Sequence, residues 1–237
     1  MTTASHTPVA AQVIETHNLI KVYEGVVPVR AVDGVDLSIE PGEFTAIVGP
    51  SGSGKTTLLN IIGGLDHPTS GSVIVNGADI SQLSNNELID FRMRHIGFVF
   101  QAYNLIPVLT AKENVEFVML LQNRSKAERD ARVEELMMEV GLSDKLNVRP
   151  AKLSGGQQQR VAVARALASK PSFVLADEPT ANLDSKSTTN LLDIMTELNL
   201  KENITFVFST HDQRVIDRAR RVITLEDGKI VSDERRE

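Results

Sequence analysis

The chain has 237 residues, which is enough to bury one sizeable hydrophobic core with an attached subdomain. A hydrophobic content of 41% and a charged content of 24% are ordinary for a globular protein, and the formal net charge of -6 does not favour a dedicated nucleic-acid-binding role. Cysteine is absent, which excludes disulfides and thiolate metal sites from this sequence. The histidines lack the paired spacing of metal ligands: His6, His17, His67, His95 and His211.

No apolar run approaches the roughly 20 residues that a membrane-spanning helix needs. The segment Met1–Ala11 has neither a basic start nor an apolar centre, so it does not match a secretory signal. We predict a flexible polar tail over residues 1–11 and a cytoplasmic chain. Any role at a membrane must then come through a partner.

The N-terminal region is predicted to be rich in β-structure. Val13–Val22 and Val35–Ile39 have strand-type apolar content, and Gly71–Gly77 is a short apolar run bounded by glycines. Pro41-Gly42-Glu43 favours a turn into a further strand, Phe44–Val48.

A phosphate-binding loop follows that strand. The segment Gly49–Thr56 matches the full G-x-x-x-x-G-K-[ST] pattern, and Thr57–Ile62 suits a buried helix directly after it. Glycines let successive backbone N–H groups point at phosphate oxygens, and the helix N-terminus adds partial positive charge. Lys55 is expected at the β- and γ-phosphates, and the Thr56 hydroxyl at Mg²⁺. The predicted nucleotide-binding residues here are Gly49, Pro50, Ser51, Gly52, Ser53, Gly54, Lys55, Thr56 and Thr57.

The middle of the chain is predicted to be a largely helical insert from about Asn86 to Pro150, inside a helical subdomain of roughly residues 86–168. Ser84–Glu87 and Ser125–Glu128 fit capping boxes that begin helices. One apolar helical face follows the second box, formed by Val133, Leu136, Met137 and Val140, with Gly141 as the expected C-terminal cap. The whole of residues 12–237 is expected to form one domain around this insert.

The segment Leu153–Gln157, which reads Leu-Ser-Gly-Gly-Gln, predicts a second phosphate-binding helix start. Ser154 is a candidate cap, and Gly155 and Gly156 permit close approach of backbone N–H groups to an anion. A second phosphate site in a chain that already has one is explained if it serves the γ-phosphate held by a neighbouring copy.

The last third is predicted to be α/β. Phe173–Ala176 and Ile204–Phe208 are continuous apolar runs typical of buried parallel strands. The first delivers Asp177 and Glu178 at its carboxyl end, where Asp177 suits Mg²⁺ coordination through water and Glu178 a general base. A hairpin is predicted between Val222–Leu225 and Ile230-Val231, around Asp227-Gly228, followed by a solvated charged end over residues 233–237.

Leu-Ser-Gly-Gly-Gln between a phosphate loop and an Asp-Glu strand resembles the signature of the ABC-type ATPases, and the resemblance covers about Val13 to Val231. It implies an α/β P-loop NTPase fold with an N-terminal antiparallel β portion and an inserted helical subdomain. It also implies ATP hydrolysis with Mg²⁺, two copies enclosing ATP between them, and integral membrane permease subunits as partners. The chain would then be peripheral on the inner face of the cell membrane.

The resemblance further implies roles for single residues. Tyr23 matches an aromatic residue that stacks on adenine, and His211 a histidine that contacts the γ-phosphate. Gln101 matches a glutamine that touches Mg²⁺ and senses the membrane partner, and Asp184 ends a loop, Ala181–Asp184, that crosses the dimer interface. The expected catalytic residues are Lys55, Gln101, Glu178 and His211, and the expected metal ligands are Thr56, Gln101 and Asp177. Ser154, Gly155, Gly156 and Gln157 are expected to contact the nucleotide of the other copy.

Three segments resemble the ATPases of lipoprotein-release, macrolide-export and cell-division systems: Asp66–Gly71, Phe98–Pro107 and Leu153–Arg160. In that group the membrane subunits transmit motion to an outer domain. A soluble ATPase of iron–sulfur cluster assembly and an importer ATPase stay open as alternatives, whereas the acidity of the chain and the lack of long coiled coils or a second ATPase half argue against nucleic-acid-linked types. The apolar segment Gln101–Leu109 is the predicted docking site for a short permease helix.

Overall fold

A computed structural model describes residues 12–236, so the predicted tail Met1–Ala11 lies outside the described residues. Two sheets and seven α-helices form the described fold. The strands are β1 (Ile14–Tyr23), β2 (Val29–Ile39), β3 (Phe44–Val48), β4 (Ser70–Val75), β5 (Ala78–Asp79), β6 (Ile96–Phe100), β7 (Phe173–Asp177), β8 (Thr205–Ser209), β9 (Arg221–Glu226) and β10 (Lys229–Arg235). The helices are α1 (Lys55–Ile62), α2 (Asn85–His95), α3 (Ala111–Leu121), α4 (Lys126–Glu139), α5 (Gly155–Leu167), α6 (Ser185–Glu202) and α7 (Gln213–Ile216). None of these helices is both long and apolar enough to span a bilayer.

The N-terminal strands form a four-stranded antiparallel sheet in the order β2-β1-β4-β5. A six-stranded sheet has the order β10-β9-β3-β8-β7-β6, and its strands run parallel except for β10, which forms the predicted hairpin with β9. The antiparallel β portion and the parallel ATP core expected from the sequence are therefore both present.

The parallel sheet buries both faces, which is why its strands are continuous apolar runs. Successive side chains point to opposite faces, so Phe206 and Phe208 pack into one core and Val207 into the other. The first core lies against helices α3 to α6. The second lies between the two sheets and contains α1, whose buried residues are Leu58, Leu59, Ile61 and Ile62.

Capping boxes begin four of the described helices. The predicted boxes at Ser84 and Ser125 are confirmed, and Ser154 begins α5 in the same way with Gln157. Thr110 and Glu113 form a further box at α3 that the sequence analysis did not predict. Helix α4 ends as expected, since Gly141, which follows the C-cap residue Val140, has a φ of +65°.

The boundary of the helical insert was wrong in one respect. Ile96–Phe100, inside the predicted insert of roughly 86–168, forms β6 and pairs with β7 in the parallel sheet. The mainly helical segment therefore begins after Phe100. The described residues of the charged end, 233–236, are exposed as expected, but Asp233 also lies in β10 and accepts two hydrogen bonds from Arg221, at 2.8 and 2.7 Å.

Arg221 joins four strands at the start of β9. Its buried guanidinium contacts Asp233 of β10, Glu43 just before β3 at 3.0 Å, and the Ser38 carbonyl of β2 at 2.6 Å. Glu43 is itself nearly buried, with a side chain 13% exposed. Removal of the arginine would leave that buried carboxylate with only the more distant Arg235 guanidinium, at 3.7 Å, as a cation.

We expect Arg221→Met to lower the free energy of unfolding by about 3–5 kcal/mol, the cost of breaking one side of a buried ion pair. Arg124→Met is the matched control, since the Arg124 side chain is 56% exposed in its pair with Glu128 and should lose less than about 1 kcal/mol. Urea unfolding of both variants gives the comparison. Equal losses would contradict the role assigned to Arg221.

Candidate active site

The phosphate loop lies between β3 and α1 and is shaped by glycines. Gly54 precedes α1 with a φ of +102°, and a Cβ atom there would lie 2.0 Å from the Ala31 carbonyl oxygen of β2. Only glycine therefore allows β2 to approach the loop so closely. Gly52, by contrast, has no atom within 4 Å of its Cβ direction. The loop is thus packed on one side and open on the other.

The polar groups of this loop fit a phosphate and a hard cation. Lys55 Nζ donates to the carbonyls of Gly49, at 2.9 Å, and Pro50, at 2.8 Å. Thr56 Oγ1 donates to the Asp177 carboxylate at 3.1 Å, so hydroxyl and carboxylate oxygens meet at the start of α1. Ser53 Oγ is buried and has no hydrogen-bond partner among the described residues. Hydroxyl and carboxylate oxygens are the ligand type that Mg²⁺ prefers, and the N-terminus of α1 favours an anion.

Glu178 and His211 come together beside this loop. Glu178 follows β7, and one of its carboxylate oxygens lies 2.7 Å from His211 Nδ1. Its other oxygen accepts from Thr210 Oγ1 at 3.3 Å. The Glu178 side chain is only 16% exposed, whereas that of His211 is 77% exposed. The carboxylate is thus oriented by two groups from the loop that follows β8.

A second pair of contacts holds that loop in place. Thr180 Oγ1 donates to Asp212 at 2.8 Å, and the Arg214 guanidinium donates to both oxygens of the same carboxylate. The hydrogen bonds from Arg214 lower the pKa of Asp212 to about 2, although burial opposes them. Asp212 is therefore charged at neutral pH, and it ties the segment after β7 to the segment after β8. The sequence analysis did not find this pair, because the two residues carry no spacing pattern.

Gln101 lies at the same edge of the sheet. It directly follows β6, whose last residue, Phe100, is the register partner of Asp177. The Gln101 side chain is exposed, and its backbone carbonyl accepts from Asn182 Nδ2 at 2.9 Å. The structure therefore brings Gln101 to the same edge as Asp177 and Glu178.

Tyr23 is held at the end of β1. Its hydroxyl donates to Asp66 at 2.9 Å, and Lys21 Nζ donates to the same carboxylate at 2.7 Å while lying 5.0 Å from the ring centroid. The residue is 43% exposed. An exposed ring fixed in orientation can stack on a flat partner.

The second helix start has different surroundings from the phosphate loop. No hydrogen bond or ion pair joins Ser154–Gln157 to Gly49–Thr56 within residues 12–236. Instead, α5 begins against α6, because a Cβ atom on Gly156 would lie 2.7 Å from Ser187 Oγ. Asp184 caps α6 through Ser187, and these hydrogen bonds lower the pKa of Asp184. One chain therefore places its two candidate phosphate sites in separate environments.

The family model described as ABC transporter matches residues 32–181 of this chain. The chain belongs to the ABC transporter family. It is an ATP-binding domain of that family, and it hydrolyses ATP.

Relatives and solved structures agree with this ABC ATPase assignment. The lipoprotein-releasing system ATP-binding protein LolD of Anaeromyxobacter dehalogenans is 48% identical over 95% of each chain. The macrolide export ATP-binding/permease protein MacB of Marinobacter nauticus is 49% identical over 89% of this chain, which spans only 32% of that relative. A dimeric post-hydrolysis structure of the ATP-binding cassette MJ0796 with ADP and Pi has a TM-score of 0.86 and 44% identity, over 94% of this chain and 98% of that one.

We expect Glu178→Gln to keep ATP binding, since the phosphate loop is unchanged, and to lower the hydrolysis rate by roughly 10² or more, as for loss of a general base. Phosphate release and ATP affinity are the measurements. Glu234→Gln, a change of an exposed carboxylate in β10, is the control and should hydrolyse ATP at the normal rate. Near-normal turnover by Glu178→Gln would rule out the role.

Proposed function

We propose that two copies of this chain enclose ATP between them and that each site takes residues from both copies. The observation that carries the proposal is that, among the described residues, no hydrogen bond or ion pair joins the two phosphate-binding helix starts, at Lys55 and at Ser154. The dimeric MJ0796 cassette supports it, since a structure of the same fold occurs as a dimer with ADP and Pi. One copy would supply the phosphate loop, Gln101, Glu178 and His211. The other would supply Ser154, Gly155, Gly156, Gln157 and the Asp184 segment.

Within each site, Glu178 accepts a proton from the attacking water. The water oxygen then bonds to the γ-phosphorus, while the bond from the γ-phosphorus to the bridging oxygen breaks and ADP leaves. His211 and Thr210 orient the base, and Lys55 binds the β- and γ-phosphates. Tyr23 stacks on adenine. Thr56, Gln101 and Asp177 would hold Mg²⁺, which neutralises phosphate charge in reactions of this class.

ATP binding and hydrolysis would close and open this dimer, and that motion is the mechanical output of the ATPase. ATP joins the two copies through its γ-phosphate, and hydrolysis removes that link. We propose that the motion drives permease subunits of a lipoprotein-release or macrolide-export type, or of a system that transmits force across the membrane. The LolD and MacB relatives support this placement. The chain would act at the inner face of the cell membrane, bound to the permease and not to nucleic acid.

Exposed apolar residues that follow Gln101 in the chain suit a contact with the permease. Phe117, Leu120 and Leu121 fall at i, i+3 and i+4 on α3 and are 39%, 49% and 54% exposed, and Val108, in the segment that leads into α3, is 70% exposed. We name these four residues the docking face. Asn114 of the same helix hydrogen-bonds the backbone of Ile106 and Leu109 and so fixes the loop to α3. Within the predicted segment Gln101–Leu109, Leu105 packs partly against the core, so the docking face extends onto α3 instead.

The shared site predicts different losses for two phosphate contacts. Lys55→Ala should weaken ATP binding by the monomer, because the charge of the β- and γ-phosphates is no longer paired. Ser154→Arg should leave monomer binding nearly intact and block dimer closure by bulk. Isothermal titration, gel filtration with ATP and hydrolysis rates separate the two.

Ser154→Ala is the control for the lost helix cap, which costs about 1 kcal/mol of stability without adding bulk. It should still dimerise with ATP. If Ser154→Arg abolishes monomer binding as Lys55→Ala does, the sites are not shared between copies.

The docking face predicts that Leu120→Glu loses permease subunits while the isolated chain keeps its basal ATPase rate, because a charge would be desolvated at an apolar contact. Met138→Glu on α4, also at an exposed apolar residue, is the control outside this face. Co-purification from detergent-solubilised membranes, with identification of multi-spanning proteins, decides the outcome. Equal recovery of permease by both variants would refute the docking face.

A further inference from the structure

Tyr103 makes a contact that the proposed chemistry leaves unused. It lies half-buried in the segment after Gln101, and its hydroxyl donates to the backbone carbonyl of Asn182 at 3.3 Å. Burial raises the pKa of Tyr103 above its usual range, so the hydroxyl keeps its proton and remains a donor. The contact joins residues 79 positions apart in the chain.

The same two segments are joined a second time in the opposite direction. Asn182 Nδ2 donates to the backbone carbonyl of Gln101 at 2.9 Å. Each segment therefore supplies one side chain and one carbonyl. Two bonds of opposite direction fix both the spacing and the orientation of the segments more firmly than one bond would.

Helix α5 begins directly on this pair of contacts. A Cβ atom on Gly155 would lie 2.7 Å from the Tyr103 hydroxyl oxygen and 3.8 Å from the Asn182 carbonyl oxygen. Only glycine leaves room for the phenol at that distance. We name Gln101, Tyr103, Gly155 and Asn182 the Tyr103 junction.

Two further side chains of α5 hold the surrounding backbone. Arg165, partly buried, donates to the carbonyls of Tyr103, at 2.9 Å, and Asn104. Gln159, fully buried, donates to the carbonyls of Phe100, at 3.3 Å, and Pro179, at 2.8 Å. Helix α5 therefore cannot shift without moving the ends of β6 and β7.

We propose that Tyr103 is a positioning residue that couples the two ATP sites of the dimer. The inference rests on the proposed function, in which Gln101 serves the nucleotide of its own copy and Gly155 that of the partner copy. The Tyr103 junction then connects one site to the other inside a single chain. Occupancy that moves Gln101 also moves the start of α5, so ATP at one site favours closure at the second.

Two variants test this coupling. Tyr103→Phe keeps the ring and removes the hydroxyl, and Tyr103→Ala removes both. Loss of one hydrogen bond predicts a fall in kcat of about fivefold for Tyr103→Phe, and loss of the packed ring predicts more than about tenfold for Tyr103→Ala. In both, the Hill coefficient for ATP should fall toward about 1, since the coupling between sites is lost. Monomer ATP affinity should stay within about twofold, because the phosphate loop is untouched.

Thr16→Val is the matched control. The buried Thr16 hydroxyl also donates to a backbone carbonyl, that of Val35 at 3.0 Å, but in the antiparallel sheet. This variant should keep the Hill coefficient even if its thermal midpoint falls. Circular dichroism and thermal midpoints of all three variants accompany the kinetics.

Two outcomes would overturn the inference alone. One is a wild-type kcat and Hill coefficient in folded Tyr103→Phe and Tyr103→Ala. The other is a lower kcat with an unchanged Hill coefficient and a lower thermal midpoint, which would make the contact merely structural. If the Glu178→Gln chain never forms a dimer with ATP, the shared site is wrong and the inference falls with the proposed function.

Discussion

Parallel pairing of β3, β8, β7 and β6 sets the position of every proposed catalytic group. Parallel strands end at a common edge, and here the register places Phe100, Asp177 and Ser209 side by side, with Ile47 next to Ser209. The phosphate loop, Gln101, Glu178 and the loop carrying His211 each start within a residue or two of those positions. Side chains far apart in sequence, such as Thr56 and Asp177 at a separation of 121 residues, are adjacent because the strand pairing fixes where each strand ends.

The helical part has a different task from the sheet. The sheet positions residues within one site, whereas α5 begins at a second candidate phosphate site, Ser154–Gln157, and packs its first turn against α6. Buried donors such as Gln159 bind the helix to the carbonyls at two strand ends. A polar side chain in the core is costly unless it is hydrogen-bonded, so these contacts also specify a single position for the helix.

Local chemistry explains which parts of the fold could be predicted from the sequence. The phosphate loop and the boxes at Ser84 and Ser125 are short-range patterns whose hydrogen bonds close within a few residues. Strand β6 was missed although Ile96–Phe100 is an apolar run, because α2 ends at His95 and the strand begins at the next residue with no glycine or proline between them. The pairing of Asp233 with Arg221 was missed for another reason, since a charged end looks solvated until its buried partner is known.

The candidate site divides in the same way. Asp177, Glu178 and Lys55 could be predicted from the sequence, because the first two end an apolar strand and the third lies in a recognisable loop pattern. The contacts of Tyr103 with Asn182, of Thr180 with Asp212 and of Tyr23 with Asp66 connect distant segments without any periodicity, so only the fold reveals them. Sequence patterns thus predict the candidate catalytic residues better than they predict the residues that position them.

Glu178 has a φ of +46°, in a region that is sparsely occupied by residues other than glycine, asparagine and aspartate. A side chain there costs about 1–2 kcal/mol of folding free energy, and a glycine would avoid that cost. Two features maintain this backbone conformation. Strand β7, which precedes Glu178, is paired with β8, and the Glu178 N–H donates to the Ser209 carbonyl at 2.9 Å. Selection for conformational stability alone would therefore favour glycine in place of Glu178. Because the carboxylate is the proposed base, stability and turnover make opposite demands on this residue.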